Sequence, residues 1–61
     1  MAMDELNSYM MDCFEEAGVP CYWSGLCLWF SLPESDRSFV PAGARWSRKR
    51  GMWYRKNGGA Y

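Results

Sequence analysis

The sequence predicts an α+β fold in which one N-terminal amphipathic helix packs on a three- or four-stranded antiparallel sheet. An apolar stripe at helical spacing lies near the N-terminus, and two later segments rich in aromatic residues each contain a turn signal. The chain has 61 residues, so we expect a single domain over residues 1–61. The 18% aromatic content supplies the large side chains that so small a core needs.

The N-terminal segment predicts a helix over residues 3–17. Gly18 and Pro20 follow it, and these residue types commonly end helices. The polar and acidic residues fall largely on one face. The apolar residues recur at the i, i+3, i+4 and i+7 spacing of the other face: Met3, Leu6, Tyr9, Met10, Cys13, Phe14 and Ala17.

Residues 20–32 predict a first β-hairpin, because two strand-like runs flank a Ser24-Gly25 turn dipeptide. In this register Trp23 faces Leu26. The second run is apolar on both faces, which is typical of a central strand.

Residues 33–42 are predicted to form a connector with one helical turn after Pro33. Phe39 and Val40 are expected to tuck under the sheet, since they are the apolar residues of this otherwise polar stretch. The glycine-containing segment 57–61 is predicted to be a flexible tail.

Residues 43–56 predict a second, basic hairpin. A loop over residues 48–51 places Trp46 across from Trp53, and Gly51 takes the loop position most in need of a positive φ. We interpret the two tryptophans as structural and the basic loop as a contact site.

The charges divide the chain into two halves. All seven acidic residues lie within residues 1–36 and all seven basic residues within 37–61, although the net charge is zero. Such asymmetry indicates an interaction surface, or else two halves that neutralise each other on folding. The acidic candidate contacts on the helix are Asp4, Glu5, Asp12, Glu15 and Glu16. The basic candidate contacts for nucleic acid are Arg45, Arg48, Lys49, Arg50, Arg55 and Lys56.

Composition argues against most enzyme classes. The chain has no histidine, no glycine-rich phosphate loop, and no serine or cysteine beside an obvious base. Its three cysteines lack the paired spacing of a zinc site, so we expect neither a metal nor a cofactor. The longest apolar run, residues 26–30, is too short to cross a membrane, and we expect a cytoplasmic protein.

Two short motifs resemble a known module. "GARW" at 43–46, a short basic gap and "WYRK" at 53–56 resemble a small domain of uncharacterised function in phage and plasmid polyvalent proteins. The likeness covers roughly residues 26–56, and only its Gly-Ala-Arg-Trp and Trp-Tyr pieces are specific. It implies a mobile-element origin and a tight tryptophan hairpin, and it carries over no catalytic residue. In size alone, the chain also resembles small phage inhibitors of host defence complexes.

Two binding functions follow as hypotheses. In the first, the protein is an anti-CRISPR-type inhibitor whose acidic helix occupies a basic nucleic-acid-binding surface of a host protein or protein–nucleic-acid complex. In the second, it is a small nucleic-acid-binding module that uses the basic aromatic hairpin 45–56, with Trp53 or Tyr54 stacking on bases. Both hypotheses place the protein in the host cytoplasm, away from membranes, as a monomer or homodimer.

The cysteine pattern predicts that Cys13, Cys21 and Cys27 stay reduced, because Cys21 faces Leu28 rather than Cys27 across the first hairpin. Mass spectrometry after alkylation under native purification should find no intramolecular disulfide. A stoichiometric Cys21–Cys27 disulfide would contradict both the hairpin register and the cytoplasmic assignment.

Overall fold

The computed structural model describes residues 3–36 and 40–59, and it confirms the predicted α+β architecture. Its strands form one antiparallel sheet in the order β1-β2-β4-β3, and the N-terminal helix packs on one face of that sheet. Within the described residues the elements are α1 (Glu5–Ala17), β1 (Cys21–Ser24), β2 (Cys27–Phe30), β3 (Arg45–Ser47), β4 (Met52–Lys56) and a 3-10 turn (Asn57–Gly59).

Helix α1 begins at Glu5 rather than at residue 3. Asp4 is its N-cap, and the Asp4 carboxylate accepts a hydrogen bond of 2.7 Å from the backbone amide of Asn7. Because an N-cap residue has extended backbone, residue 3 lies outside the helix. The helix ends at Ala17, and the amide of Gly18 donates to the carbonyl of Glu15.

The core-facing side of α1 differs from the predicted apolar stripe. Phe14 is buried as expected, but Asn7 is fully buried and Met11 packs against the core. Leu6 and Tyr9, predicted to face inward, are 37% and 64% exposed. The helix takes this rotation because the Asn7 side-chain amide hydrogen-bonds to the backbone of β4, which lets a polar residue occupy an interior position.

The first hairpin turns one residue later than predicted. Its turn residues are Gly25–Leu26 rather than Ser24–Gly25, and Trp23 pairs with Leu28 instead of Leu26. Both turn residues have positive φ, 59° and 66°, as the favoured two-residue turns require. The amide of Asn57 donates to the Leu26 carbonyl at 2.9 Å, which holds the turn in this position. Each β1 residue pairs with a β2 residue two positions later than predicted. Because side chains alternate between the two faces of a strand, a shift of two leaves each side chain on its predicted face.

The second hairpin has the predicted register. Trp46 pairs with Trp53 across a loop of residues 48–51, and Gly51 has the expected positive φ of 64°. The amide of Gly51 donates to the Ser47 carbonyl at 2.8 Å and closes the loop. Strand β4 then pairs with β2, which places β2 in the interior of the sheet as its apolar sequence predicts.

The core lies between α1 and one face of the sheet. The Phe14 and Phe30 rings stack with their centroids 4.5 Å apart. The Trp46 and Trp53 rings meet edge-on with their centroids 5.7 Å apart, and this is a geometry that aromatic pairs prefer. The buried residues that form the core cluster are Phe14, Leu28, Phe30 and Trp53.

The described parts of the connector contact this core. The amide of Asp36 donates to the Pro33 carbonyl at 3.0 Å, which forms a hydrogen-bonded turn over residues 33–36 in place of the predicted helical turn. The indole of Trp53 also donates to the Pro33 carbonyl, at 3.1 Å. Val40 packs against the core as predicted, whereas Phe39 lies outside the described residues.

Replacing Trp53 with alanine should lower the free energy of unfolding by about 3–5 kcal/mol, because the ring is only 2% exposed and its removal leaves a cavity. Trp46→Ala should cost less, since that ring is half-buried. Urea denaturation followed by circular dichroism measures both losses. Equal stability of the Trp53 variant and the native protein would show that the ring is not in the core.

Candidate nucleic-acid interface

The face of the sheet opposite α1 carries a continuous row of aromatic side chains. Tyr22 pairs with Trp29 across β1 and β2, Trp29 pairs with Tyr54 across β2 and β4, and Arg45 of β3 stands opposite Tyr54. Because cross-strand partners share one face of a sheet, these residues cross all four strands on the side away from the core. We call Tyr22, Trp29 and Tyr54 the aromatic row, and its side of the sheet the open face.

The rings of the aromatic row are close and nearly parallel. The Tyr22 and Trp29 centroids are 6.3 Å apart with an interplanar angle of 12°. The Trp29 and Tyr54 centroids are 4.9 Å apart with an angle of 30°. The Trp29 indole donates to the Ser24 carbonyl at 3.2 Å, which fixes its orientation. Tyr22 is 40% exposed, so the row reaches solvent without being fully solvated.

Arg50 of the basic loop folds back over this row. Its guanidinium carbon lies 4.2 Å from the centroid of the Trp29 ring, a cation–π contact. Its Nη1 donates to the Tyr22 hydroxyl at 3.2 Å, and its backbone amide donates to Ser47 Oγ at 3.3 Å. The guanidinium is therefore held above the row by both its side chain and its backbone.

Four further cations of the basic hairpin lie on the open face or in the adjoining loop. Arg45 and Lys56 lie on the strands that form it, opposite Tyr54 and Cys27. Arg48 and Lys49 are exposed in the loop beside Arg50. Three of the six predicted basic contact residues, Arg45, Arg50 and Lys56, thus lie on the open face, and Arg48 and Lys49 are exposed in the adjoining loop.

The helix carboxylates lie on the opposite side. Four of them are exposed on α1, which packs on the other face of the sheet. Within residues 3–36 and 40–59 these four carboxylates form no ion pair, and the ion pair that joins the two charged halves there is Asp4–Arg55. These four acidic candidates are Glu5, Asp12, Glu15 and Glu16.

Arg55, the sixth basic candidate, lies in the interior and not on the surface. It is 7% exposed, and its Nη1 donates to Asp4 Oδ2 and to Asn7 Oδ1, each at 3.0 Å. Its Nε donates to the Ala42 carbonyl at 2.8 Å. A guanidinium with these contacts is a structural group, so Arg55 is removed from the predicted nucleic-acid contacts.

Asp4 is likewise removed from the predicted acidic surface. Besides the Arg55 guanidinium, its carboxylate accepts hydrogen bonds from the amides of Asn7 and Gly58. Its own amide donates to Asn57 Oδ1 at 2.7 Å. Residues 57–59, predicted as part of a flexible tail, are therefore bound to the start of α1, and residues 60–61 lie outside the described region.

These contacts also set the titration of Asp4. Hydrogen bonds from the Asn7 and Gly58 amides, with a further contribution from the Arg55 guanidinium, hold the pKa of Asp4 below its usual value. A carboxyl group with a lowered pKa stabilises the fold above its unfolded-state pKa. That stabilisation is lost as the pH falls through the folded-state value.

The two motifs that contain tryptophan, residues 43–46 and 53–54, have structural roles. Gly43 has a φ of 86°, and a Cβ atom there would lie 2.8 Å from the Gly59 carbonyl oxygen, so only glycine fits. Trp46 and Trp53 pack edge-on in the core, which makes Trp53 unavailable for the base stacking that was considered for it. Tyr54, the other candidate for stacking, is on the open face.

Tyr22 and Trp29 are not among the residues that the sequence predicted to contact nucleic acid. Their place on a common face follows from strand alternation within the first hairpin, and this signal is present in the sequence. The neighbour that completes the row, Tyr54, is supplied by the pairing of β2 with β4.

The thiols and carboxylates of the described residues offer no group of three or more ligands that could hold a metal. Burial, with a contribution from the Glu15 carboxylate, raises the pKa of Cys21, so this thiol is protonated at neutral pH and is a weak nucleophile. None of the described helical segments has the length and apolarity that a bilayer crossing requires.

Comparisons with known protein families, with curated proteins and with solved structures find no match to this chain. The resemblance of residues 43–46 and 53–56 to a domain of polyvalent proteins thus stays a prediction. Any assignment of function must come from the geometry of the surface.

Replacing Asp4 with asparagine should lower the free energy of unfolding at pH 7 by about 1–3 kcal/mol, because Arg55 loses its counter-ion while the helix keeps a capping side chain. The variant should also lose less stability than the native protein on acidification below about pH 4. Asp12→Asn, the same change at an exposed helix position, is the control and should leave both measurements unaltered. Urea titrations across pH measure these effects, and identical pH profiles of the Asp4 variant and the native protein would contradict the role of the ion pair.

Proposed function

We propose that the protein is a non-enzymatic binding protein that holds nucleic acid on the open face of its sheet. One observation carries the proposal: the aromatic row crosses the sheet, and the cations of the basic hairpin border it. Aromatic side chains set among basic residues on an exposed sheet suit nucleic acid, since rings stack on bases while cations contact phosphates.

The electrostatic arrangement supports the same conclusion. Arg48 and Lys49 are exposed in the loop and make no ion pair within the described residues, so they can contact phosphates. The neutral net charge and the sequence pI of 6.1 would argue against a nucleic-acid-binding protein if the charges were mixed. They are largely separated instead, because four exposed carboxylates lie on α1, behind the sheet.

The size of the molecule makes this separation effective. Its smallest dimension is 18 Å, roughly twice the Debye length of about 8 Å at physiological salt. A phosphate on the open face is therefore attracted by the nearby cations more strongly than it is repelled by the helix carboxylates. Binding by such a surface is expected to weaken as salt rises, because counterions released from the nucleic acid drive it.

A second candidate function uses the helix. The exposed carboxylates of α1 lack ion-pair partners within the described residues, and the adjoining surface is apolar, with Tyr9 64% exposed. A groove of about 580 Å³ lies beside this helix, with Cys13 on one wall and Val40 on the other. This surface fits the hypothesis of an anti-CRISPR-type inhibitor that docks on a basic surface of a host defence complex. We place it second, because the aromatic row has no part in it.

Two charge variants separate the candidates. Changing Arg48, Lys49 and Arg50 together to glutamine should weaken the binding of a fluorescein-labelled single strand in fluorescence anisotropy. The slope of log K against log salt should fall by about 0.7 for each phosphate that the variant no longer neutralises. Reversing Glu15 and Glu16 to lysine should strengthen binding only slightly, since both residues are exposed but lie behind the sheet, where their repulsion of phosphate is largely screened. Thermal melts serve as the folding control for both variants.

The opposite pattern would support the second candidate. If the native protein binds no nucleic acid at low salt, the proposed function is wrong. If nucleic acid binds but the loop variant retains the native affinity and salt slope, the binding surface is elsewhere. If the reversal of Glu15 and Glu16 abolishes binding to a basic protein partner and the loop variant still binds that partner, the inhibitor hypothesis is favoured.

A further inference from the structure

The contact between the Arg50 guanidinium and the Trp29 ring is an unusual feature of the open face. Surface arginines are usually extended into water, yet this guanidinium lies 4.2 Å above an indole ring and is bonded to the Tyr22 hydroxyl. Its backbone is fixed to Ser47, and the amide of Gly51 closes the same loop on the Ser47 carbonyl. Arg50 nevertheless remains exposed, so the side of the guanidinium that faces away from Trp29 meets solvent.

We propose that this outer side is a stacking surface for one unpaired nucleobase, with Trp29 supporting the guanidinium from beneath. The inference rests on the proposed function and deepens it, because it names the ligand class as single-stranded nucleic acid. Arg50 is the residue that selects for that class, and Arg48 and Lys49 contact its phosphates.

The chemistry of the guanidinium suits this role. It is planar, its charge is delocalised, and it is more weakly hydrated than an ammonium group, so it stacks on flat π systems on either side. Unpaired bases stack on arginine planes as they do on aromatic rings. Because the Tyr22 hydroxyl and the Trp29 ring already hold the side chain, the ordering cost of forming such a stack is reduced.

The same geometry disfavours a duplex. The bases of a double helix are stacked on one another, so their faces are covered and only their edges and the phosphates are accessible. A guanidinium that lies over a ring of the aromatic row offers a surface for a base face and not for a groove edge. A duplex gains only the phosphate contacts of the loop.

The test compares Arg50→Lys with its matched control, Arg48→Lys. Both changes keep the charge and remove the guanidinium plane, and both positions are exposed in one loop, but only Arg50 lies over the Trp29 ring. The probes are a fluorescein-labelled oligothymidine, an abasic strand with the same number of phosphates, and a duplex of the same length. Circular dichroism and thermal melting establish that each variant folds.

We expect Arg50→Lys to weaken oligothymidine binding by about five- to tenfold, which corresponds to the loss of one stacked base, with an unchanged salt slope. Its affinity for the abasic strand should stay within about twofold of the native value. Arg48→Lys, a change at a phosphate contact, should alter the affinities for the base-bearing and abasic strands by the same factor. The native protein should bind oligothymidine more tightly than the duplex.

Three results would overturn the inference while leaving nucleic-acid binding intact. They are equal effects of the two lysine variants on oligothymidine, equal losses of Arg50→Lys on the abasic and base-bearing strands, and duplex binding as tight as single-strand binding. Tighter oligothymidine binding by Arg50→Lys would overturn it as well, since Arg50 would then be blocking Trp29. Absence of binding to every probe would instead overturn the proposed function itself.

Discussion

The fold depends on one buried cation. The Arg55 guanidinium is almost inaccessible to water, and a buried charge costs several kcal/mol unless its donors are satisfied. The acceptors for its N–H groups come from three separate parts of the chain. They are the Asp4 carboxylate before α1, the Asn7 side chain within α1, and the Ala42 carbonyl before β3. The helix and the connector must both be in place around β4 before this charge is compensated. The ion pair thus couples the two ends of the sequence, which lie 51 residues apart at Asp4 and Arg55.

That constraint accounts for the parts of the fold that sequence patterns could not predict. Periodicity located α1 and its end, and turn chemistry with the Trp46–Trp53 pairing located the basic hairpin, since those signals are local. The rotation of α1 depends on the interior hydrogen bond of Asn7 to β4, and the ordering of residues 57–59 depends on Asp4. Hydropathy treats Asn7 and Arg55 as surface residues, because it does not represent a long-range polar network.

The candidate site, like the fold, could be predicted only in part from the sequence. The basic loop and Tyr54 stood out in the sequence because basic and aromatic residues alternate along the second hairpin. The aromatic row did not, because its members come from both charged halves of the chain. Strands β1 and β2 belong to the acidic half and β3 and β4 to the basic half, and the sheet order joins the halves at the β2–β4 pair. Only this long-range pairing places Tyr54 against Trp29.

The sheet therefore converts a division along the sequence into a division between two faces. The helix carries four exposed carboxylates of the first half to one side, and the second hairpin carries Arg45, Arg50 and Lys56 to the other. A row of three aromatic rings that reaches solvent would ordinarily favour self-association, since apolar patches on a surface are a liability. Arg50 lessens that liability by covering Trp29 with a charged group that is itself flat and stackable. Under the proposed function, the contact that covers Trp29 with a charged group is thus the same one that would present a planar surface to a base.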